Sequence, residues 1–133
     1  MNLHEASELI RDTKRLLIFV PDRFHAKLAE KLCSRYKRSV VSTTWGVKLA
    51  SVIRTFEARR NLDDGLVAII TASTGSVSGW RVDGDAVLWL GHVPDAVWLE
   101  QAGIRIGVAS LLVHHCYPAS GEIYNFDVVE SVS

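Results

Sequence analysis

A stretch of small and hydroxyl-bearing residues, Thr71-Ala72-Ser73-Thr74-Gly75-Ser76-Val77-Ser78-Gly79, is followed at once by Trp80 and Arg81. Loops of such small residues are common after strands. Gly75 and Gly79 permit close backbone approach, and the hydroxyls of Thr71, Ser73, Thr74, Ser76 and Ser78 supply donors. Trp80 beside Arg81, and Trp45 beside Gly46, offer faces for base stacking or a protein-binding hot spot, or else anchor their loops. A second set of cations, Lys31, Arg35, Lys37 and Arg38 with Lys27, is spaced to line one helix edge. Such a stripe binds phosphate backbones without sequence preference, although a solvated helix face has the same composition.

Phosphoryl transfer needs a phosphate cradle, a metal carboxylate and a transition-state cation. The cradle signature GxxxxGK[ST] is absent, and no Gly-Lys pair occurs anywhere. Asp63-Asp64 precedes an apolar run instead of following one, so no strand end offers a magnesium ligand. His114, His115 and Cys116 are adjacent, and neighbours on a strand point to opposite faces, so they do not converge on one metal ion. Cys116 has no motif for an oxyanion hole or an orienting carboxylate. No catalytic residue, metal or cofactor is assigned.

The elements that must position these groups alternate between helix and strand. Leu3 to Lys14 reads as an amphipathic helix, and Leu16 to Val20 as a strand buried on both faces. Asp22 offers an N-cap to a helix whose apolar stripe is Phe24, Leu28, Leu32 and Tyr36, ending near Lys37. Ser39 to Thr43 is a second strand; Leu49, Val52, Ile53 and Phe56 mark the next helix, closed by Arg59, Arg60 and Asn61. Leu66 to Thr71 and Ala86 to Leu90 are further strands, with Trp89 in the core. Pro94 to Gly103 reads as a helix, and Leu111 to His115 and Ile123 to Val129 as closing strands. Strands separated by helices predict a three-layer α/β fold, a mainly parallel sheet with helices on both faces.

A chain of 133 residues, 48% hydrophobic and 23% charged, is one globular domain. Cys33 and Cys116 form no disulfide framework, which points to a reducing compartment. No apolar run approaches the roughly 18 residues of a membrane span. MNLHEASELIRD carries acids where a signal peptide carries bases, so a cytoplasmic protein is expected. The zero net charge hides an asymmetry: residues 1–60 hold 13 Lys/Arg against 6 Asp/Glu, and residues 61–133 hold 2 against 9. If this survives folding, one face attracts phosphate.

The order ITASTGSVSGWRVDGDAVLWLG, WLEQAGIRIG, SLLVHHCYPASGEIYN resembles the C-terminal RecA-like domain of superfamily 2 helicases, closest to the Swi/Snf-like helicases of bacteriophages. The resemblance covers Leu16 to Asn125. It implies that LLIFVP ends in a loop near the nucleic-acid backbone. It also implies that Thr71 to Gly84 stands at motif V, which contacts phosphates, and that Trp98 to Gln101 opens motif VI. Gln101 and Arg105 keep the first motif VI spacing, but Val108 stands where the next arginine belongs. An arginine finger is worth on the order of 10³–10⁵ in rate, so its loss implies a module no longer selected for hydrolysis.

The expectation is therefore a lone RecA-like domain of phage or mobile-element origin, binding nucleic acid or a helicase-type replication or recombination protein. Its contact residues would be Thr71, Ser73, Thr74, Gly75, Ser76, Gly79, Trp80, Arg81, Gln101 and Arg105, with Lys31, Arg35 and Arg38. One alternative is the trans-acting half of a split ATP-dependent DNA helicase. Another is a Rossmann-like domain for a small ligand. The sequence sets no oligomeric state.

Overall fold

A computed structural model describes residues 1–61, 65–71, 80–82, 84–91, 104–106 and 113–123, with backbone alone at 80–82 and 104–106. Helix α1 (Leu3–Asp12) opens on a capping box: Asn2 Oδ1 accepts the Glu5 amide at 2.8 Å, and Glu5 Oε1 accepts the Asn2 amide at 3.1 Å. Strand β1 (Arg15–Val20) follows, and then α2 (Arg23–Arg35), β2 (Val40–Ser42) and a 3₁₀ turn at Thr43–Trp45. The remaining elements are α3 (Leu49–Ala58), β3 (Leu66–Thr71), β4 (Trp80–Val82), β5 (Ala86–Leu90), β6 (Ile104–Ile106) and β7 (Val113–Cys116).

Five strands form one sheet in the order β2-β3-β1-β5-β7, and every pairing in it is parallel. Successive residues of a strand face opposite sides. Leu16, Ile18 and Val20 therefore join a core with Leu3, Ala6 and Ile10 of α1 and Ala29 and Leu32 of α2. Leu17 and Phe19 join Val52, Ile53 and Phe56 of α3 on the other face. Helices thus cover both faces, the three-layer α/β arrangement that the alternating pattern predicts. Phe19 and Trp89 stack across β1 and β5 with ring centroids 4.4 Å apart, which puts Trp89 in the core. Among the described residues, no helix is long and apolar enough to cross a membrane.

Glycine fixes the entry to β3. Gly65 has φ +75°, and a Cβ there would lie 2.0 Å from the Lys14 carbonyl oxygen. That carbonyl accepts the Leu66 amide at 2.8 Å, so a side chain at 65 would push β3 off the start of β1.

Four expectations need correction. The α2 stripe of Phe24, Leu28, Leu32 and Tyr36 is buried only in its middle: Phe24 is 59% exposed and Tyr36 half-buried. Residues four apart advance about 40° around a helix of 3.6 residues per turn, which turns Phe24 away from the buried side, and Tyr36 is the C-cap of the helix. The buried set is Ala26, Leu28, Ala29, Leu32 and Cys33. Ile123 lies in a helical turn at 120–123, not at the head of a strand, and its amide bonds to the Ala119 carbonyl at 3.1 Å. Ser39 to Thr43 shortens to Val40–Ser42, because Thr43 begins the 3₁₀ turn. Finally, β4 and β6 pair in parallel as a separate two-stranded ladder, where the sequence pattern puts a loop at 80–82 and no element at 104–106. The Pro94 to Gly103 helix, and the Ile123 to Val129 strand beyond Ile123, lie outside the described residues.

Candidate functional site

In an open parallel sheet, ligands gather at the carboxyl ends of strands whose connections diverge. Here the chain leaves β1 through α2 toward β2, and leaves β5 toward β7 on the opposite flank, so the divergence falls between β1 and β5. At this point the described residues pack closely. Gly91, with φ +94°, packs so closely that a Cβ would stand 2.9 Å from His25 Cδ2 and from Pro21 Cγ and Cδ. Asp22 caps α2: its Oδ1 accepts the His25 amide at 2.9 Å and meets His25 Nδ1 at 2.8 Å. Burial pushes the Asp22 carboxyl up, but hydrogen bonds from the His25 amide and ring, and from the Phe24 amide, outweigh it and hold the group below the usual carboxylate range. The positive end of α2 is thus occupied by its own carboxylate, and an incoming anion would have to displace Asp22.

Thr71, the first residue of the predicted phosphate loop, is 7% exposed. Its amide donates to Thr43 Oγ1 at 2.9 Å, and Thr43 Oγ1 donates to Thr71 Oγ1 at 3.1 Å. This pair ties the carboxyl end of β3 to the turn after β2. Thr44 extends the tie: its Oγ1 donates to Glu30 of α2 and lies 2.7 Å from Ser42 Oγ. Trp45 closes that turn, 56% exposed, ahead of Gly46 at φ +72°.

Ser73, Thr74, Gly75, Ser76, Gly79 and Gln101 lie outside the described residues. Trp80 and Arg81 belong to β4 and Arg105 to β6, and the ladder sets Arg81 opposite Arg105. The segments that carry Arg81 and Arg105 therefore adjoin through backbone pairing.

The cationic stripe divides. Arg38 turns inward: its Nη1 donates to the Ile10 and Thr13 carbonyls at 2.6 and 2.5 Å, and its Nη2 to the Lys14 carbonyl at 2.6 Å. These carbonyls belong to the end of α1 and the turn beyond it, and Lys14's also accepts the Leu66 amide, so Arg38 is a tertiary clamp. Lys27, Lys31 and Arg35 instead lie exposed along the outer face of α2. Phe24 stands at the head of this face, packed edge-on against His25 with ring centroids 5.4 Å apart. Phe24, Lys27, Leu28 and Lys31 line a cleft of about 150 Å³ with Ile123. Glu30 is the single carboxylate within α2, and it accepts the Thr44 hydroxyl. The sequence reading placed Phe24 in the core. The signal it lacked was the helical drift, since Phe24 lies 40° beyond Leu28, away from Ala29 and Cys33.

Cys33 and Cys116 are buried, and burial pushes their thiols up to about 12 and about 11. Neither ionises at neutral pH, so neither is a nucleophile as folded. His115 lies on exposed ground between Trp89, 6.4 Å between centroids, and Tyr117, whose hydroxyl is 3.1 Å from its Nδ1.

No protein-family model matches the chain, and no curated protein matches its sequence.

Proposed function

We propose that this chain is a non-catalytic helicase-like module that holds nucleic acid by its phosphate backbone along the outer face of α2. The observation that carries the reading is the exposed Phe24 leading Lys27, Lys31 and Arg35 along one exposed helix face. At about 1.5 Å rise per residue, Lys27 to Arg35 spans roughly 12 Å, room for about three to four phosphates of one strand spaced ~3.4 Å along the axis. Phe24 supplies a face on which one base can stack, and the lysines beside it hold the adjoining phosphates. The parallel three-layer fold and the order of segments that resembles a helicase second domain support the helicase-like part of the reading.

Contacts of this kind carry no sequence information, so binding should be unspecific, with Kd on the order of 10⁻⁴–10⁻⁶ M at physiological salt. The test is fluorescence anisotropy of labelled single-stranded DNA with the intact chain and with Lys27→Glu/Lys31→Glu. Loss of binding in the double variant, with unchanged melting, supports the reading.

A second reading rests on the register that sets Arg81 opposite Arg105. A helicase second domain packs against a first, and these adjoining segments are where a helicase-type partner would dock. In that case Arg105→Glu, not the α2 variant, abolishes association with such a partner. A split enzyme would also show DNA-stimulated ATP hydrolysis on mixing.

A further inference from the structure

We propose that the amino edge of the sheet carries a separate anion site, a pocket of Arg11, Lys14, Tyr36, Lys37 and Arg38 that takes a phosphomonoester group. In this fold α1, α2 and α3 each lead into a strand of a parallel sheet, so their carboxyl-terminal ends collect at one edge. The end of α1, the turn into β1 and the end of α2 together enclose a cavity of about 360 Å³, lined by these residues with Asp12 and Thr13. Four cations face one carboxylate.

A helix carboxyl end repels anions, because its last carbonyls are unsatisfied. Here that objection is removed for α1: Arg38 already covers the carbonyls of Ile10, Thr13 and Lys14. The Arg38 Nε is buried and has no hydrogen-bond partner among the described residues. Asp12 is spent on Arg11, which grips it through Nε and Nη2 at 2.7 and 2.8 Å while lying 6.0 Å from the centre of the Tyr36 ring. Lys14 and Lys37 are exposed, and among the described residues neither is in an ion pair.

The backbone at Lys37 is a second, independent observation. Helix α2 ends in a Schellman motif: the Lys37 amide bonds to the Ser34 carbonyl at 3.1 Å and the Arg38 amide to the Cys33 carbonyl at 3.0 Å. Lys37 occupies the left-handed position of that motif, with φ +52°. Glycine is the usual occupant, because a Cβ is strained there. Among the described residues, Lys37 is the one non-glycine at positive φ. Strain retained at a single residue marks a position held for something other than stability. A lysine here brings an ammonium to the pocket that glycine would not.

The proposal stands apart from the reading of α2, since inorganic phosphate needs no stripe. The test titrates inorganic phosphate, and then a 5′-phosphorylated and a 5′-hydroxyl oligonucleotide, into the whole chain and into Lys37→Gly, Lys14→Gln and Lys27→Glu/Lys31→Glu. Lys37→Gly should melt above the parent protein, which shows that it folds, and should bind phosphate roughly fivefold more weakly or worse, as expected for loss of one exposed ion pair. Lys14→Gln should weaken phosphate similarly, and the α2 variant should leave it unchanged. Tighter binding of the 5′-phosphorylated strand makes a strand end the source of the group; equal binding of the two strands, with phosphate still bound, makes it a free phosphate ester. Failure of the parent protein to bind phosphate, or equal phosphate binding by Lys37→Gly, overturns the proposal.

Discussion

Thr43 and Thr71 hold two strand ends together through one oxygen: Thr43 Oγ1 accepts the Thr71 amide at 2.9 Å and donates to Thr71 Oγ1 at 3.1 Å. The pair is buried, and it ties the carboxyl end of β3 to the turn after β2. Thr43→Val strands a buried amide and a buried hydroxyl, so it should lower stability by about 1–3 kcal/mol in urea unfolding. Thr43→Ser keeps the oxygen and should cost less than Thr43→Val. A Val variant as stable as the parent would show that the latch is idle.

Arg38 is the clearest case of a charge whose role sequence spacing cannot assign. Arg38→Met leaves the carbonyls of Ile10, Thr13 and Lys14 without their charged donor, and should cost about 2–3 kcal/mol. Arg38→Lys should recover only part of this, because an ammonium cannot reproduce the planar fork. Hydrogen exchange should quicken first in α1. Uniform loss of protection across the chain would argue against a local clamp.

Asp22 gives stability a defined pH dependence. Its folded carboxyl lies below the usual range, so its contribution is present above the unfolded pKa and is lost as pH falls through the folded value. Asp22→Ala should cost about 1 kcal/mol at neutral pH, the usual worth of an N-cap. The gap between parent and variant should narrow below roughly pH 4, the unperturbed aspartate range. Asp22→Asn, also a good cap, should keep the cap but lose the charge-dependent part, so it should trail the parent at neutral pH and approach it in acid. A gap that persists unchanged into acid would mean that the carboxylate charge contributes nothing.

What could be read from the sequence follows periodicity and burial. Leu66–Thr71 and Ala86–Leu90 are continuous apolar runs bounded by Gly65 and Gly91, and their observed limits match the reading. The α3 stripe of Leu49, Val52, Ile53 and Phe56 is buried as expected, because these are the i, i+3, i+4 and i+7 positions of one helix face. The α2 stripe steps by four throughout, which misplaced Phe24. Strands β4 and β6 are three residues each, too short for any period to show. The fate of the cations was not legible either. Lys31, Arg35 and Arg38 look alike in sequence, and what separates them is that Arg38 closes the Schellman motif after α2, facing the end of α1. That is a tertiary fact with no local signal.

The account stands most directly on the salt dependence of single-stranded DNA binding, measured by anisotropy between about 50 and 200 mM salt. Three cations, Lys27, Lys31 and Arg35, at about 0.7 counterions each predict a slope of roughly −2 in log affinity against log salt. Lys27→Glu/Lys31→Glu should flatten that slope by more than half and weaken binding at low salt. No binding at low salt, or a variant with the affinity and slope of the parent, would contradict the assignment of α2 as the nucleic-acid face.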